Sequence, residues 1–402
     1  MKKTIRILFY GDVMLGRAVG LTFQQFNNFD PLIEDSMTAQ QYLDSIIQNK
    51  EELTIIRRMN QNNASYLIPN SLQTITNNLN EDLRILNIEC APTITVPTDK
   101  ISSNIPNQKG IRYHFNLNNF PLVFPISTYN KQKAVFNLAN NHALDMGRNA
   151  ANESLILKNN YNIIGFDYGN DAYKPCIISR NDCNIIVFGF GTGCSGIPDD
   201  WKSNNNQIGV AYLPPITNLE NVNKAFEIIS SVVNYHIRNI NSDLPLIKIL
   251  SIHWGPNWAL ELREIDGIYY REILAHRIID ELKFHVIYGT SSHHVRGLEN
   301  YKGSLIMHGI GDFINDYENI PLPDNFKYSK LGGIFVVDIE INNKLNATLT
   351  EIVPVKMNKL RVDTNVSKEE VNEFVRTINY WTSNDVTNGT EIQLTIDTLL
   401  KS

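Results

Sequence analysis

The sequence predicts an α/β protein with helices packed over a mixed sheet or sheets, and three observations carry that prediction. Short apolar, β-branched runs recur along the chain, helix-like stretches alternate with several of them, and one pair of runs reads as a hairpin. At 402 residues, with 43% hydrophobic and 19% charged side chains, the chain reads as globular. It is long enough to bury a sizeable core without disulfides or a structural metal.

In chain order the strand-like runs are IRILFY (5–10), RILNIE (84–89), AVFNLAN (134–140), NIIGF (162–166) and NIIVFGF (184–190). LIKILSIHW (246–254), FHVIYG (284–289), LIMHGIG (305–311) and GIFVVDIEI (333–341) follow. Near-continuous apolar runs of this length suit strands covered on both faces. Helix-like stretches lie at 37–50, 147–160, 217–239 and 269–283, and CIISR followed by NDCNIIVF reads as a hairpin, so the sheet is expected to be mixed. Residues 51–80 and 100–130, rich in Asn, Gln, Ser and Pro, read as surface excursions. Residues 1–350 are expected to form one domain. The strand TLTEIVPVKM and helices near 367–379 and 391–400 then make up a C-terminal extension, 351–402, packed on that domain.

A formal net charge of −6 gives no basic footprint for nucleic acid or an anionic membrane. Local charge at a site can still oppose the net charge, so an anionic substrate stays open. The N-terminal apolar run ends at Tyr10, short of the roughly 7–15 residues of a signal-peptide core. No stretch reaches the ~20 apolar residues of a membrane span, and the expected location is cytoplasmic. Cys90, Cys176, Cys183 and Cys194 lack metal-binding spacing and are expected to be free thiols.

The informative pattern is where polar residues fall. Asp12 follows the first strand, Glu89 ends the second, Asn141 and His142 end the third, His253 ends LIKILSI, and His293 and His294 follow FHVIYG. Ligands of open α/β sheets bind at this edge, and carboxylates, an amide oxygen and imidazoles make an O/N donor set suited to Zn, Mn or Fe. Taken singly, each has a plain alternative: Asp12 as an Asx turn or N-cap, Glu89 as a loop carboxylate, Asn141 as a turn, His253 as a packed imidazole. Five strand ends agreeing is hard to obtain from turn chemistry. Trp254 and Trp258, bracketing Gly255-Pro256, read as packing or as a substrate wall. The loop GTGCSGIPDDW (191–201) reads as a plain loop or as a source of N–H groups for an anion.

The motifs GDVMLGR (11–17), NIE (87–89), LANNHALDMG (138–147), IHWGPNW (252–258), GTSSHHVRGLENYKG (289–303) and GIGDFIND (309–316), in that order, resemble the CapA family, named for poly-γ-glutamate capsule biosynthesis. That family looks like a divergent branch of the calcineurin-like metallophosphoesterases. The resemblance implies a metallophosphoesterase-like four-layer α/β/β/α sandwich with mixed sheets and a site for one or two divalent ions. By resemblance, Asp12, Glu89, Asn141, His253 and His293 are metal ligands, with Glu89 as the bridging carboxylate and His142 beside the leaving group. Asp145 would orient His142, and Arg17 would hold an anionic substrate group. His294, Trp254 and Trp258 are expected on the substrate side, and Asp312 and Asp316 are expected to cap turns or support the histidines. The chain departs from the phosphoesterase pattern at Met14, where a ligand His is missing as is usual in sequences resembling CapA, and at Thr290, where the family pattern places His.

The implied reaction is metal-dependent hydrolysis of a poly-γ-glutamate or related polyanionic substrate. The alternatives are a phosphomonoesterase or phosphodiesterase on the same scaffold, or a non-catalytic binding or assembly subunit of capsule-type polymer biosynthesis, to which Thr290 would point. No partner protein is implied.

Overall fold

In the computed structural model, which describes residues 3–24, 38–96, 111–238, 240, 243–258, 268–319, 330–342 and 345–396, the apolar runs assemble into two large sheets. Their strands begin with β1 (Lys3–Tyr10), β2 (Leu83–Asn87), β3 (Ala134–Asn137), β4 (Asn162–Ile164), β5 (Cys176–Ser179), β6 (Asn184–Thr192) and β7 (Tyr212–Leu213). They continue with β8 (Leu246–His253), β9 (Val286–Thr290), β10 (Leu298–Tyr301), β11 (Ser304–Met307), β12 (Gly332–Ile341), β13 (Asn346–Met357), β14 (Val362–Asp363) and β15 (Thr390–Glu391). The first sheet runs β14-β13-β12-β1-β2-β3-β4. The second runs β7-β6-β8-β9-β11-β10-β15, with β5 added antiparallel to β6 as the expected hairpin.

Side chains alternate across each strand, and that alternation makes the layers. Ile7 and Phe9 of β1, Ile85 of β2 and Val135 of β3 share one buried cluster with Val187, Ile249, Val286 and Met307 of the second sheet. On the outer face of the first sheet, Leu8, Leu86 and Phe136 meet α1 (Arg17–Leu21), α2 (Ala39–Ile46), α3 (Lys50–Asn60) and α4 (Asn70–Asn78) through Val19, Leu43, Ile56 and Leu72. Past the short α5 (Gly147–Ala151), the outer face of the second sheet is covered by α6 (Leu219–Ile237) and α7 (Ile268–Leu282). There Phe188, Leu250 and Ile287 pack on Phe226, Ile229, Leu274 and Ile278. The result is the four-layer α/β/β/α sandwich. It explains why the strand sequences are apolar on both faces.

Helix α8 (Lys368–Asp385) starts in a capping box in which the Ser367 side chain accepts the Glu370 N–H and the Glu370 side chain accepts the Ser367 N–H. Its residues Val371, Phe374, Val375 and Ile378, spaced as one helical face, join the core between the sheets.

Two expectations need correction. Residues 51–80 contain the helices α3 and α4. Asn49 caps α3 by accepting from the Glu51 and Glu52 N–H groups, with Glu51 and Glu52 at its positive end and Arg57 and Arg58 at its negative end. The Asn-rich composition hid an amphipathic pattern whose few apolar residues, such as Ile56 and Leu72, are buried. The expected helix near 391–400 starts later, because Thr390–Glu391 form the short strand β15 against β10; Ile396 is helical, and 397–402 lie outside the described residues. At 147–160, α5 passes into 3₁₀ turns over Asn152–Asn159. All four cysteines are free. Among the described residues no helix is long and apolar enough to cross a membrane.

Glu299 on β10 is buried and accepts hydrogen bonds from His276 of α7 at 2.5 Å and His308 at 3.2 Å. Burial pushes its carboxyl up, but the two imidazole hydrogen bonds outweigh that and hold it down at about 2. A depressed carboxyl stabilises the fold fully above the unfolded-state value of about 4.5 and progressively less as pH falls toward 2. Glu299→Gln is therefore expected to cost on the order of 2 kcal/mol at pH 6. The gap to the parent protein should close between about pH 4.5 and 2, as read from urea unfolding at stepped pH.

Candidate metal centre

Parallel pairing brings the polar strand ends to one edge of the sandwich. β1, β2 and β3 run parallel in register, as do β6, β8 and β9, and His253 lies directly opposite Thr290. Past β1 the chain forms a short strand, Asp12–Val13, paired in parallel with Asp312–Ile314 so that Asp12 faces Asp312. The Asp12 N–H donates to the Gly311 carbonyl at 2.8 Å. A Cβ on Gly11 would stand 2.6 Å from that same carbonyl oxygen, so only glycine permits the approach.

Four acidic and imidazole groups then converge. Glu89 Oε1 lies 3.6 Å from His253 Nε2, 3.7 Å from His293 Nε2 and 3.9 Å from His142 Nε2. All three separations exceed hydrogen-bond range, and those to His253 and His293 match the spacing of donors that each stand ~2.1 Å from a shared ion. His293 Nε2 has no hydrogen-bond partner among the described residues, while its Nδ1 meets Asp312 Oδ1 at 2.9 Å. His142 Nδ1 meets Asp145 Oδ2 at 2.5 Å, and the Asp145 carboxylate also accepts the Tyr113 N–H. Each is a carboxylate–imidazole pair that holds one ring nitrogen and aims the other inward. His253 Nε2 meets Asn141 Oδ1 at 3.0 Å, and its Nδ1 meets the Thr290 hydroxyl at 2.9 Å.

Donor atoms of Asp12, His293 and Asp312 lie within 4.8 Å of one another, as do those of Asp12, Glu89 and His253. Asp12 is thus the carboxylate common to both groups, whereas the family resemblance implies Glu89 in that place. Asp12 and Glu89 are wholly buried. Burial, followed by the charge of Asp312, pushes Asp12 up to about 6, and burial raises Asp312 as well. At His293 burial opposes the charged form, but Asp312 outweighs it and raises the imidazole. Buried carboxylates that resist ionisation beside inward-facing imidazole nitrogens are what a divalent cation would relieve. The residues present fit one.

The other expected residues separate. Arg17, buried, is claimed by Asp316: Nε bonds Oδ2 at 3.0 Å, Nη2 bonds Oδ1, and the guanidinium lies 3.8 Å from the Tyr42 ring centroid and 4.6 Å from that of Tyr113. Burial opposes its charge, and Asp316 more than restores it. Asp316 therefore supports Arg17, and among the two late aspartates only Asp312 backs a histidine. Trp254 is a core residue, 1% exposed, its Nε1–H donating to the His308 carbonyl at 2.9 Å, so it walls no substrate space. His294 is buried as well; its Nδ1 meets the Val295 carbonyl and its ring lies 5.1 Å from Trp381 of α8. Adjacent His293 and His294 diverge because His293 sits in the left-handed region at φ +57°. Trp258 does reach the site, its ring 5.5 Å from His293, with Tyr317 at 5.4 Å. Met14 is buried in the core of the first sheet. The loop 191–201 makes a short 3₁₀ turn, Gly193–Ser195, and Gly196 comes close to Asn141.

Two residues were missed. Asn87 Nδ2 donates to Asp12 Oδ1 at 2.7 Å and stands 3.2 Å from His253 Nδ1. Ser291 donates its N–H to Asp12 Oδ2 at 2.9 Å. Thr290, marked in the sequence as standing at a ligand position, serves as the hydroxyl partner of His253. An amide inside an otherwise apolar strand was the available signal for Asn87. Arg17, Trp258, Ser291 and His293 all have positive φ, conformations costing about 1–3 kcal/mol each and typical of functional sites.

Compared with known proteins, the sequence profile described as bacterial capsule synthesis protein PGA_cap matches residues 6–317. Probable polyglutamine synthesis accessory proteins from two strains of Mycobacterium tuberculosis are each 32% identical over 117 residues, 29% of this chain. The matched stretch spans 28% of the length of those relatives. Among solved structures, a novel phosphatase from Mycoplasma pneumoniae is similar over 88% of this chain and 94% of its own, at 13% identity and a TM-score of 0.44.

Proposed function

From the premise that this chain belongs to the bacterial capsule synthesis protein PGA_cap family, we propose that it is a metal-dependent hydrolase acting on a polyanionic polymer of the poly-γ-glutamate kind. One observation carries the reading: His253 Nε2 and His293 Nε2 stand 3.6 and 3.7 Å from Glu89 Oε1, too far for hydrogen bonds, and the His293 ring is backed by the Asp312 carboxylate. Asp12, Glu89, Asn141, His253 and His293 would hold one or two ions of Mn, Zn or Fe, with Asp312 a further candidate ligand. A divalent ion there would polarise an anionic substrate oxygen and lower the pKa of an attacking water to about 7.

The chain's own groups do the rest. Asp145 anchors His142 through Nδ1, so a second proton on the ring sits at Nε2 and can pass to a leaving nitrogen or oxygen. Asp312 does for His293 what Thr290 does for His253, fixing ring orientation. Trp258 and Tyr317 close the side of the site beside His293 against water. Arg17, neutralised by Asp316, stiffens the floor through Tyr113 and leaves charge recognition of the polymer to the ion.

A second reading, phosphoester hydrolysis, is favoured by the one carboxylate common to two donor groups, which suits a pair of ions about 3.5–4 Å apart. The deciding experiment incubates the protein with added Mn²⁺ and either γ-linked glutamate oligomers or a bis-aryl phosphate, with EDTA controls. Metal-dependent cleavage of the oligomers is the expected result. Cleavage of the phosphate alone would replace it with the second reading. Inertness toward both by a metal-loaded protein would leave a binding or assembly subunit.

A further inference from the structure

Helix α8 grips the segment that carries His293. Asp385, at the end of α8, accepts from Arg296 Nε at 2.9 Å and Nη2 at 2.7 Å, and from the Gly297 N–H at 2.9 Å. Both charged side chains are almost wholly buried. Thr382 Oγ1 accepts the Leu298 N–H at 3.1 Å. Trp381 lies against the His294 ring and under the Arg296 guanidinium, 4.2 Å from its centroid. A Cβ on Gly297 would stand 2.8 Å from the Asp385 Cβ, so glycine there lets the helix come this close. On its other side the segment is pinned by Arg296 N–H to the Gly309 carbonyl at 2.8 Å and by pairing of Val295 with Ile310.

The gripped residues, 294–298, follow immediately on Ser291 and His293, two non-glycine residues held at φ +101° and +57°. Such a backbone persists only where its surroundings over-determine it. Asp12, through the Ser291 N–H, holds the segment from the metal side, and α8 holds it from the other. α8 also lies beyond residues 6–317, the span matched by the family profile.

We infer that α8 is a positioning element of the metal centre: Trp381, Thr382 and Asp385 clamp residues 294–298 and thereby keep His293 aimed at the ion. The inference rests on the metal-centre reading. It carries a reciprocal consequence: if the docked helix raises metal affinity, the metal must strengthen helix docking by the same factor. A helix that only filled core volume through Val371, Phe374 and Ile378 would show no such coupling.

The test uses the full chain with Asp385→Asn, and Thr382→Val as a milder variant that removes one hydrogen bond should the first fail to fold. Amide hydrogen exchange of residues 289–298 is measured without metal, and Mn²⁺ affinity by titration. Exchange of 291–298 should quicken about tenfold or more in Asp385→Asn and by a smaller factor in Thr382→Val, with Mn²⁺ affinity falling in step. In the parent protein, saturating Mn²⁺ should slow exchange of residues 381–388. Unchanged exchange of 291–298 in both folded variants would overturn the clamp. A parent protein that takes up no Mn²⁺ would instead overturn the metal-centre reading, and the metal-free exchange data would still judge the clamp.

Discussion

Asp12→Ala is expected to lower divalent-metal affinity by roughly 100-fold or more, since even groups that merely orient a ligand are worth 10–100-fold. Asp12 contributes to both donor groups, so its loss touches every ion the centre holds. Its position is over-determined: the backbone is tied to Gly311, and its carboxylate accepts from Asn87 and Ser291. The variant should therefore lose metal by element analysis after dialysis while keeping its circular dichroism spectrum. Asp312→Ala is the informative companion. Asp312 belongs to one group only, so an ion held by Glu89, His253 and Asn141 should survive. Equal metal content in the parent protein and a folded Asp12→Ala variant would remove the metal centre from the account of this protein.

Asp316→Ala is expected to destabilise the fold by about 3–5 kcal/mol, the range for removing one partner of a buried ion pair. The cost arises because Arg17, 4% exposed and enclosed by Tyr42 and Tyr113, would keep its charge with no carboxylate beside it. The Ala18 N–H, which donates to Asp316 Oδ2 at 3.1 Å, would lose its acceptor as well. The double variant Arg17→Met/Asp316→Ala removes both charges and should recover much of the loss, giving a coupling energy of 2 kcal/mol or more in a urea-unfolding cycle. Additive single and double effects would mean that the guanidinium is not committed to Asp316, and would return Arg17 to the role of substrate anchor.

Much of the architecture was legible because each strand's burial is local information. Runs such as IRILFY and NIIVFGF are apolar on both faces, and a strand of that kind must lie inside a layered α/β fold. The hairpin at 176–190 was legible for the same reason. Helices α3 and α4 were not, because their polar faces dominate the composition and the few residues they bury make sense only against the outer face of the first sheet.

At the site, position along a strand told which residues reach the edge; it did not tell where their side chains turn. Asp12, Glu89, Asn141, His142, His253 and His293 could be picked out because they end strands, and the structure brings all six together. His294 and Trp254 also end strands or follow them, yet they turn into packing with Trp381 and His308. The deciding quantity is backbone direction, reversed at His293 by a positive φ that no local pattern announces.

Sequence alone thus determined an α/β frame and the six residues at its polar edge through hydrophobic periodicity and strand ends, and the ordered local motifs carried the family resemblance that implied a two-sheet sandwich. Only the tertiary structure decided that Asp12 is the carboxylate common to both donor groups, that Arg17 belongs to Asp316 across 299 positions, and that α8 grips the segment after His293. Those are pairings between distant segments. Their partners are chosen by which strands lie side by side and which helix closes the core, and a one-dimensional pattern carries no such distance.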